Sequence, residues 1–292
     1  MINLKKNKLK FSQLKKKPTE SFLLKYYKEI YFQNNKAYYK EKYNSNEQTY
    51  INSKIKQKYQ NINRLRKGKL GGNVLDIGCG KCEFISFFKK KGWDVTGIEQ
   101  SEYSLNNNNK SIKNSVIIGN ADEIIKRLIK QNKKYDLISL NNVLEHLLDP
   151  ALVINLLKKL LKKNSILSIN IPNDESLFQK YLIKNKSVKR NYWLAYPDHI
   201  NYFNIKSFEY FINKLGLKVI DSISDFPIEM FLLNSNSNYV ENNKFGKEAH
   251  LSRIKFEIFL MNNFKINEIN EYYRSMSKLG IGRNINYLCK HK

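Results

Sequence analysis

The feature that most narrows what this 292-residue chain can fold into is the stretch Val74-Leu75-Asp76-Ile77-Gly78-Cys79-Gly80. A short apolar run stopping on two closely spaced glycines, then a helical pattern reaching Lys91, reads as strand, tight turn and helix. The alternation continues. Strands are expected at 94–99, 115–118, 135–140 and 165–171, with helices after Ser101, after Ala121, and from Pro150 to about Lys163. Elements of this size in alternation imply an α/β fold, with a parallel sheet covered on both faces by right-handed crossovers.

Beyond Pro172 the regularity weakens through a loop holding Tyr192, Trp193, Tyr196, Asp198 and His199. A helix over 205–215, closed by Gly216, leads into a strand at 217–220. The stretch 225–279 reads mostly helical and 284–289 as a last strand, so the helical part is an insertion before that strand. Upstream, 26–66 reads as helices leading into the domain. Residues 1–17 alternate lysines with Leu4, Leu9, Phe11 and Leu14, and a solvated basic tail is expected there. The division is a basic tail at 1–20, a helical amino-terminal lid at 21–70, a core at 71–222, a helical insertion at 223–280, and a last strand with the carboxyl terminus at 281–292.

The charge balance, 52 Lys+Arg against 26 Asp+Glu, invites nucleic acid as a partner. Only seven of the 52 are arginine (Arg64, Arg66, Arg127, Arg190, Arg253, Arg274 and Arg283), the residue suited to bidentate phosphate recognition. The lysines are spread along the whole chain, as a compositional bias would spread them, and nucleic acid is not the expected partner. Three cysteines, Cys79, Cys82 and Cys289, do not make a disulfide framework, and a reducing cytoplasm is expected. No apolar run of 18 residues exists, so no membrane span is expected.

A glycine turn between strand and helix aims backbone N–H groups and a helix amino terminus at a ligand. Counting from Gly78, the sixth position of a dinucleotide fingerprint is Glu83, a carboxylate where pyrophosphate would lie, and no phosphate-loop pattern is present. A ligand without phosphate but with a cationic end fits better, and S-adenosylmethionine carries an ammonium and a sulfonium. Glu99 lies 23 positions beyond Asp76, the spacing at which an acidic side chain reaches ribose hydroxyls. Asn120-Ala121-Asp122 follows the third strand and can meet an adenine edge, although Asp122 could equally cap a helix. Cys79-Gly80-Lys81-Cys82 is a C-x-x-C inside the turn, with no second pair to complete a zinc site.

Taken with Gly97-Ile98-Glu99, Tyr135-Asp136-Leu137-Ile138 and Leu144-Glu145-His146-Leu147-Leu148-Asp149-Pro150, these segments resemble the successive motifs of class I S-adenosylmethionine-dependent methyltransferases. The resemblance runs from about Gly71 to Ile220. It departs at Cys82, where the family commonly has glycine. It implies a Rossmann-like, seven-stranded, mostly parallel sheet with an amino-terminal helical lid and a helical insertion before the last strand. It also implies S-adenosyl-L-methionine as cofactor, held by Asp76, Gly78, Cys79, Gly80, Glu99, Gln100, Ala121, Asp122, Asn141, Asn142 and His146.

For the acceptor, Leu140-Asn141-Asn142-Val143 lacks the Asn/Asp-Pro-Pro-aromatic tetrapeptide of enzymes that methylate nucleobase amines. The Glu145-His146 pair resembles quinone-pathway methyltransferases that hold a divalent ion with a further acidic residue upstream. That position is Asn142 here, and no metal is expected. Asp198-His199-Ile200-Asn201-Tyr202-Phe203 resembles a His-x-x-x-Phe segment of small-molecule and saccharide methyltransferases. His199 is therefore the expected general base, because imidazole titrates near neutrality. Trp193, Tyr196, His250 and Arg253 are expected to bind the acceptor. The insertion, with Phe226-Pro227-Ile228-Glu229, Gly246-Lys247-Glu248-Ala249-His250 and Gly280-Ile281-Gly282-Arg283-Asn284, is similar to bacterial methyltransferases of surface-polysaccharide pathways. The expected acceptor is thus a small molecule, with a sugar hydroxyl preferred. An RNA methyltransferase and a non-catalytic cofactor-binding protein of the same fold are the alternatives.

Overall fold

The computed structural model describes residues 2–31, 43–105 and 110–292. Strands β1 (Leu4–Lys6) and β2 (Ser12–Leu14) form a hairpin, and α1 (Glu20–Tyr26) runs into a π-helical turn at Tyr27–Tyr31. Helix α2 (Ser45–Leu65) starts on a reciprocal cap: Glu47 N donates to Asn44 Oδ1 at 2.9 Å and Asn44 N to Glu47 Oε2 at 3.1 Å. Then come β3 (Gly72–Ile77), α3 (Glu83–Lys90), β4 (Trp93–Glu99), β5 (Val116–Ile118), α4 (Ala121–Lys130), β6 (Tyr135–Asn141), α5 (Pro150–Leu160) and β7 (Leu161–Pro172). The remainder is α6 (Leu177–Lys184), β8 (Asn201–Tyr202), α7 (Ile205–Lys214), β9 (Leu217–Ser224), α8 (Gly246–Asn263), α9 (Ile266–Leu279) and β10 (Asn284–His291).

The main sheet has seven strands in the order β5-β4-β3-β6-β7-β10-β9. All neighbours are parallel except β10, which is antiparallel to both β7 and β9. Side chains alternate across a strand, so Leu75 and Ile77 face one core with α4, α5 and α7, while Val74 faces the other with α2 and α3. Both faces are buried, which is why β3 and β6 read as near-continuous apolar runs.

Three expectations are corrected. The basic tail expected at 1–20 is not a solvated one over its described residues: β2 pairs with β8, Phe11 and Leu14 are buried, and the Phe11 ring lies 4.4 Å from Phe203 and 5.4 Å from Phe211. The lysines of the hairpin stay outside while its apolar residues insert. The helix expected after Ser101 is two short 3-10 turns, Glu102–Leu105 and Lys110–Ser115, with 106–109 outside the described residues. Helix α5 stops at Leu160, three residues short of Lys163, because Leu161 takes extended backbone and opens β7.

The insertion grips α2. Lys54 Nζ lies 2.5 Å from the buried Glu257 Oε1, which also accepts from the Tyr273 hydroxyl at 2.8 Å. Asn270 Nδ2 donates to Gln57 O at 3.1 Å. Arg274 bridges Asp221 and Asn61. Helices α8 and α9 thus hold α2 across the carboxyl ends of the strands.

Candidate functional site

A cavity of about 790 Å³ opens at the carboxyl ends of β3, β4 and β6, walled on its other side by α1 and α2. Crevices at that edge are where open α/β sheets bind ligands. All eleven residues singled out for the cofactor stand on its wall, from Asp76 and Gly78 through Glu99 and Asp122 to Asn142 and His146.

The glycine turn is built without slack. Gly78 N and Cys79 N both donate to Ile98 O, at 2.8 and 3.1 Å, and Cys82 N closes the turn on Cys79 O at 2.8 Å. Gly78 has φ +66°, and a Cβ there would stand 2.7 Å from Val143 Cγ2. Cys82 takes φ +64°, the left-handed conformation glycine prefers, and is fully buried. The Cys79 and Cys82 thiols share a hydrogen bond at 3.6 Å and form no disulfide, with Cys79 pushed far above its ordinary range chiefly by that hydrogen bond and by burial.

The acids of the wall are shaped by burial. Glu99 accepts from Gly80 N at 2.8 Å through one oxygen, and from Gln100 N and Ser101 N at 2.8 and 3.0 Å through the other. It therefore ties the end of β4 to the turn, and one carboxylate lone-pair site remains for a ligand hydroxyl. Burial raises it, against these three amides. Asp76 is raised to about 7 by burial, against hydrogen bonds from Ser139 and Asn141 and the charge of Lys58. A carboxyl in that state gains its charge when a cation arrives beside it. Asn120, rather than Asp122, caps α4, accepting from Asp122 N at 2.9 Å and Glu123 N at 3.3 Å. The Asp122 carboxyl is left on the cavity wall, raised by burial.

The far half of the cavity was not foreseen. Asn170 of β7, Asn284 and Asn286 of β10, Asp225 beyond β9, and Lys54 and Lys58 of α2 line it together with Asn142. Lys58 Nζ donates to Asn141 Oδ1 at 2.6 Å, and Asn141 Nδ2 donates to Ser139 Oγ at 2.7 Å and Asp76 Oδ1 at 3.3 Å. Asn170 Nδ2 donates to Asn142 Oδ1 at 2.8 Å. The only signal in the sequence was Lys54 and Lys58 one helical turn apart, which a lysine-rich chain offers many times over.

The five residues assigned to the acceptor and to proton transfer lie elsewhere, and those assignments are corrected. His199 is absent from the wall, and its ring stands 5.0 Å from that of His146, which is on the wall. Burial, then the neighbouring His146, depresses His199 to about 2, so it is a neutral packed ring and not a base. Trp193 is buried with Leu14, Leu23, Ile200 and Tyr202 under the hairpin. Tyr196 is exposed and off the cavity wall. His250 Nδ1 meets Arg253 at 2.8 Å, its other nitrogen lies 3.7 Å from Glu47, and the Arg253 guanidinium sits 5.2 Å over the Tyr50 ring. That pair fastens α8 to α2 behind the wall.

Glu145, His146 and His199 bring ligand atoms within 4.8 Å of one another, a set that could hold a divalent cation. The Glu145 carboxyl is buried 3.8 Å from His146 Nε2, and burial raises it to about 8 against a hydrogen bond from Asn142. His146 Nδ1 lies 2.7 Å from Asp198 O, and burial lowers the ring to about 4. Only His146 of the three reaches the cavity.

The family described as "Methyltransferase domain" matches residues 46–222. Two curated relatives are ubiquinone biosynthesis O-methyltransferases. The one from Pasteurella multocida is 31% identical over 117 residues, covering 36% of this chain and 48% of that protein. The one from Actinobacillus pleuropneumoniae is 30% identical over 118 residues, covering 38% and 50%. The chain spans about half the length of these relatives. Among solved structures, a SAM-dependent methyltransferase from Archaeoglobus fulgidus superposes with TM-score 0.51 at 21% identity, over 94% of this chain and 100% of that one. The plantazolicin methyltransferase BamL, solved with SAH and a triazolic desmethylPZN analog, gives TM-score 0.51 at 18% identity, over 84% and 87%. At those identities the structures speak for the fold.

Proposed function

The chain belongs to the methyltransferase-domain family, and from that premise we propose that it moves a methyl group from S-adenosylmethionine to a hydroxyl of a small acceptor, a saccharide of a surface-glycan pathway made in the cytoplasm. The wall fits the methyl donor. Acidic groups at Asp76, Glu83, Glu99 and Asp122 suit a ligand with two cationic centres and a ribose diol, and the turn leaves no room for side chains at Gly78. Asp76, Gly78, Gly80 and Asn141 would hold the amino-acid end, Glu99 and Gln100 the ribose, and Ala121 and Asp122 the adenine.

When bound, S-adenosylmethionine supplies a methyl group on a cationic sulfur that is already a good leaving group. The residues of this chain then have mainly to position the acceptor and exclude water. The observation that carries a hydroxyl-rich acceptor is the ring of carboxamides, Asn142, Asn170, Asn284 and Asn286, around the far half of the cavity. Each offers both a donor and an acceptor, the pairing that sugar hydroxyls use. The curated relatives, ubiquinone biosynthesis O-methyltransferases, support transfer to oxygen. Among the described residues no helix is long and apolar enough to cross a membrane.

The test has two arms. S-adenosylhomocysteine should bind by calorimetry, and Glu99→Gln should weaken it by about 1.5–3 kcal/mol, the worth of hydrogen bonds to a charged group. Undiminished affinity removes the ribose role. S-adenosylmethionine turnover should be stimulated by members of a panel of nucleotide-activated sugars. Stimulation by catechol alone would replace the saccharide with a quinol-type acceptor, and salt-resistant retention of a defined RNA would replace it with nucleic acid.

A further inference from the structure

We propose that Lys58 is the catalytic residue of the acceptor half: its amine meets the acceptor hydroxyl as a neutral base, having given up its own proton when the cationic methyl donor entered the cavity. The inference rests on the methyl-transfer reading above and adds to it the group that takes the proton.

Position comes first. Lys58 reaches the cavity wall from α2, and its Nζ is fixed 2.6 Å from Asn141 Oδ1. Asn141 is tied in turn to Asp76 and Ser139, so the amine sits where the ends of β3 and β6 meet, between the glycine turn and the ring of carboxamides. Its partner matters as much. Lys54 and Lys162 pair with carboxylates at 2.5 and 2.7 Å, whereas among the described residues Lys58 forms no ion pair and bonds a neutral amide oxygen. An amide oxygen accepts from –NH₂ as readily as from –NH₃⁺, so loss of the proton leaves the amine in place.

The charges facing it are few. Lys54 lies one turn away on the same helix, Asp76 faces it from β3 and Asp225 from beyond β9. Burial, then Lys54, lowers Lys58 to about 8 against the two acids. Asp76 is itself close to half-ionised at neutral pH. A sulfonium added to the same partly desolvated space is a further like charge, which disfavours the protonated amine. His146 offers no equivalent, since burial holds it near 4 and its Nδ1 is engaged by Asp198 O.

The step balances. The Nζ lone pair takes the hydroxyl proton as the oxygen pair forms the new bond to the methyl carbon, and the pair of the breaking carbon–sulfur bond stays on sulfur. The products are a methyl ether, a neutral thioether and the Lys58 ammonium. With the sulfonium gone the ammonium is no longer opposed, and its proton passes to solvent when the next methyl donor binds.

The experiment needs no acceptor. Calorimetry at pH 7 in buffers of different ionisation enthalpy counts the protons exchanged on binding S-adenosylmethionine and S-adenosylhomocysteine, which differ by the sulfonium charge. The wild type should release about 0.5–1 proton more with S-adenosylmethionine, as expected for an amine near 8 driven neutral, and Lys58→Met should abolish that excess. Lys58→Arg keeps a charge that cannot be lost, so its affinity for S-adenosylmethionine relative to S-adenosylhomocysteine should fall by about tenfold or more. Should Lys58→Met fail to fold, Lys58→Arg decides: the wild-type affinity ratio should rise with pH from 6.5 to 7.5 more steeply than the Lys58→Arg ratio, which keeps only the proton that Asp76 gives up. An excess equal in wild type and Lys58→Met, or a ratio with the same pH slope in wild type and Lys58→Arg, overturns the assignment while leaving the methyltransferase reading intact. Failure of both ligands to bind overturns that reading itself.

Discussion

At Gly97 an added methyl group would stand 2.7 Å from Cys79 Sγ, 3.0 Å from Ile85 Cδ1 and 3.3 Å from Cys79 Cβ. The strand beside the turn is therefore glycine for want of space, not for its backbone angles. Gly97→Ala should destabilise the protein by about 1–3 kcal/mol in denaturant unfolding, the usual cost of overpacking. Cys79→Ala in the same chain should recover much of that loss, because it removes the nearest atom; additive losses in the double variant would disprove the clash. Residues of this kind were legible, since a turn pressed against a strand leaves few residue types open to it, and Asp76, Gly78, Gly80 and Glu99 could all be read. The far half of the cavity was not legible. Lys54 and Lys58 are two among 52 basic residues, and the asparagines of β7 and β10 come together only through the strand order. His199 was misjudged because residue type says nothing of depth: burial behind His146 strips the imidazole of its basicity.

Among the elements, the amino-terminal hairpin shows how three-residue strands escape a pattern search. Neither β1 nor β2 is long enough to show a period, and the lysines around them read as a solvated tail. What orders the hairpin is remote: β8 supplies the pairing, and Phe203 and Phe211 supply the pocket for Phe11. Phe11→Ala should cost about 3–5 kcal/mol, the range for emptying a buried aromatic site, read as a lowered denaturation midpoint. A loss below about 1 kcal/mol would show the hairpin to be incidental to the fold. Apart from the helix expected after Ser101, where two 3-10 turns stand, the alternating strands and helices between Gly72 and Pro172 were read almost to their ends, because each β-α unit repeats one local grammar. The grip of α8 and α9 on α2 depends instead on Glu257, buried among Lys54 and Tyr273, a meeting that no local pattern announces.

Over the whole molecule, buried acids set the pH response of the ligand-free protein. Asp76 is held at about 7 and Glu145 at about 8, each raised by burial from an ordinary carboxyl value. Between the unfolded values near 4 and these folded ones, the native state binds more protons, so stability falls as pH rises. Above about 6.5 the depressed histidines no longer oppose this, and Lys58, lowered to about 8, adds stability with pH only beyond that point. The melting temperature should therefore fall from pH 6.5 to 8, with each group contributing at most about 1.4 kcal/mol per pH unit. Saturating S-adenosylhomocysteine should flatten the slope by giving Asp76 a cationic neighbour. A melting temperature that rises across that window would contradict the assignment. The sheet holds one more consequence, in its order of assembly. Strand β9 touches the sheet only through β10, which is made after it and inserts between β9 and β7. A chain without β10 would keep at most the five strands from β5 to β7 in this sheet, with the β7 edge bare and open to strands of other chains. A proteolytic cut just before Asn284 would likewise unpair β9 as well as remove β10, so residues 284–292 act as the keystone of the arch and not as its trim.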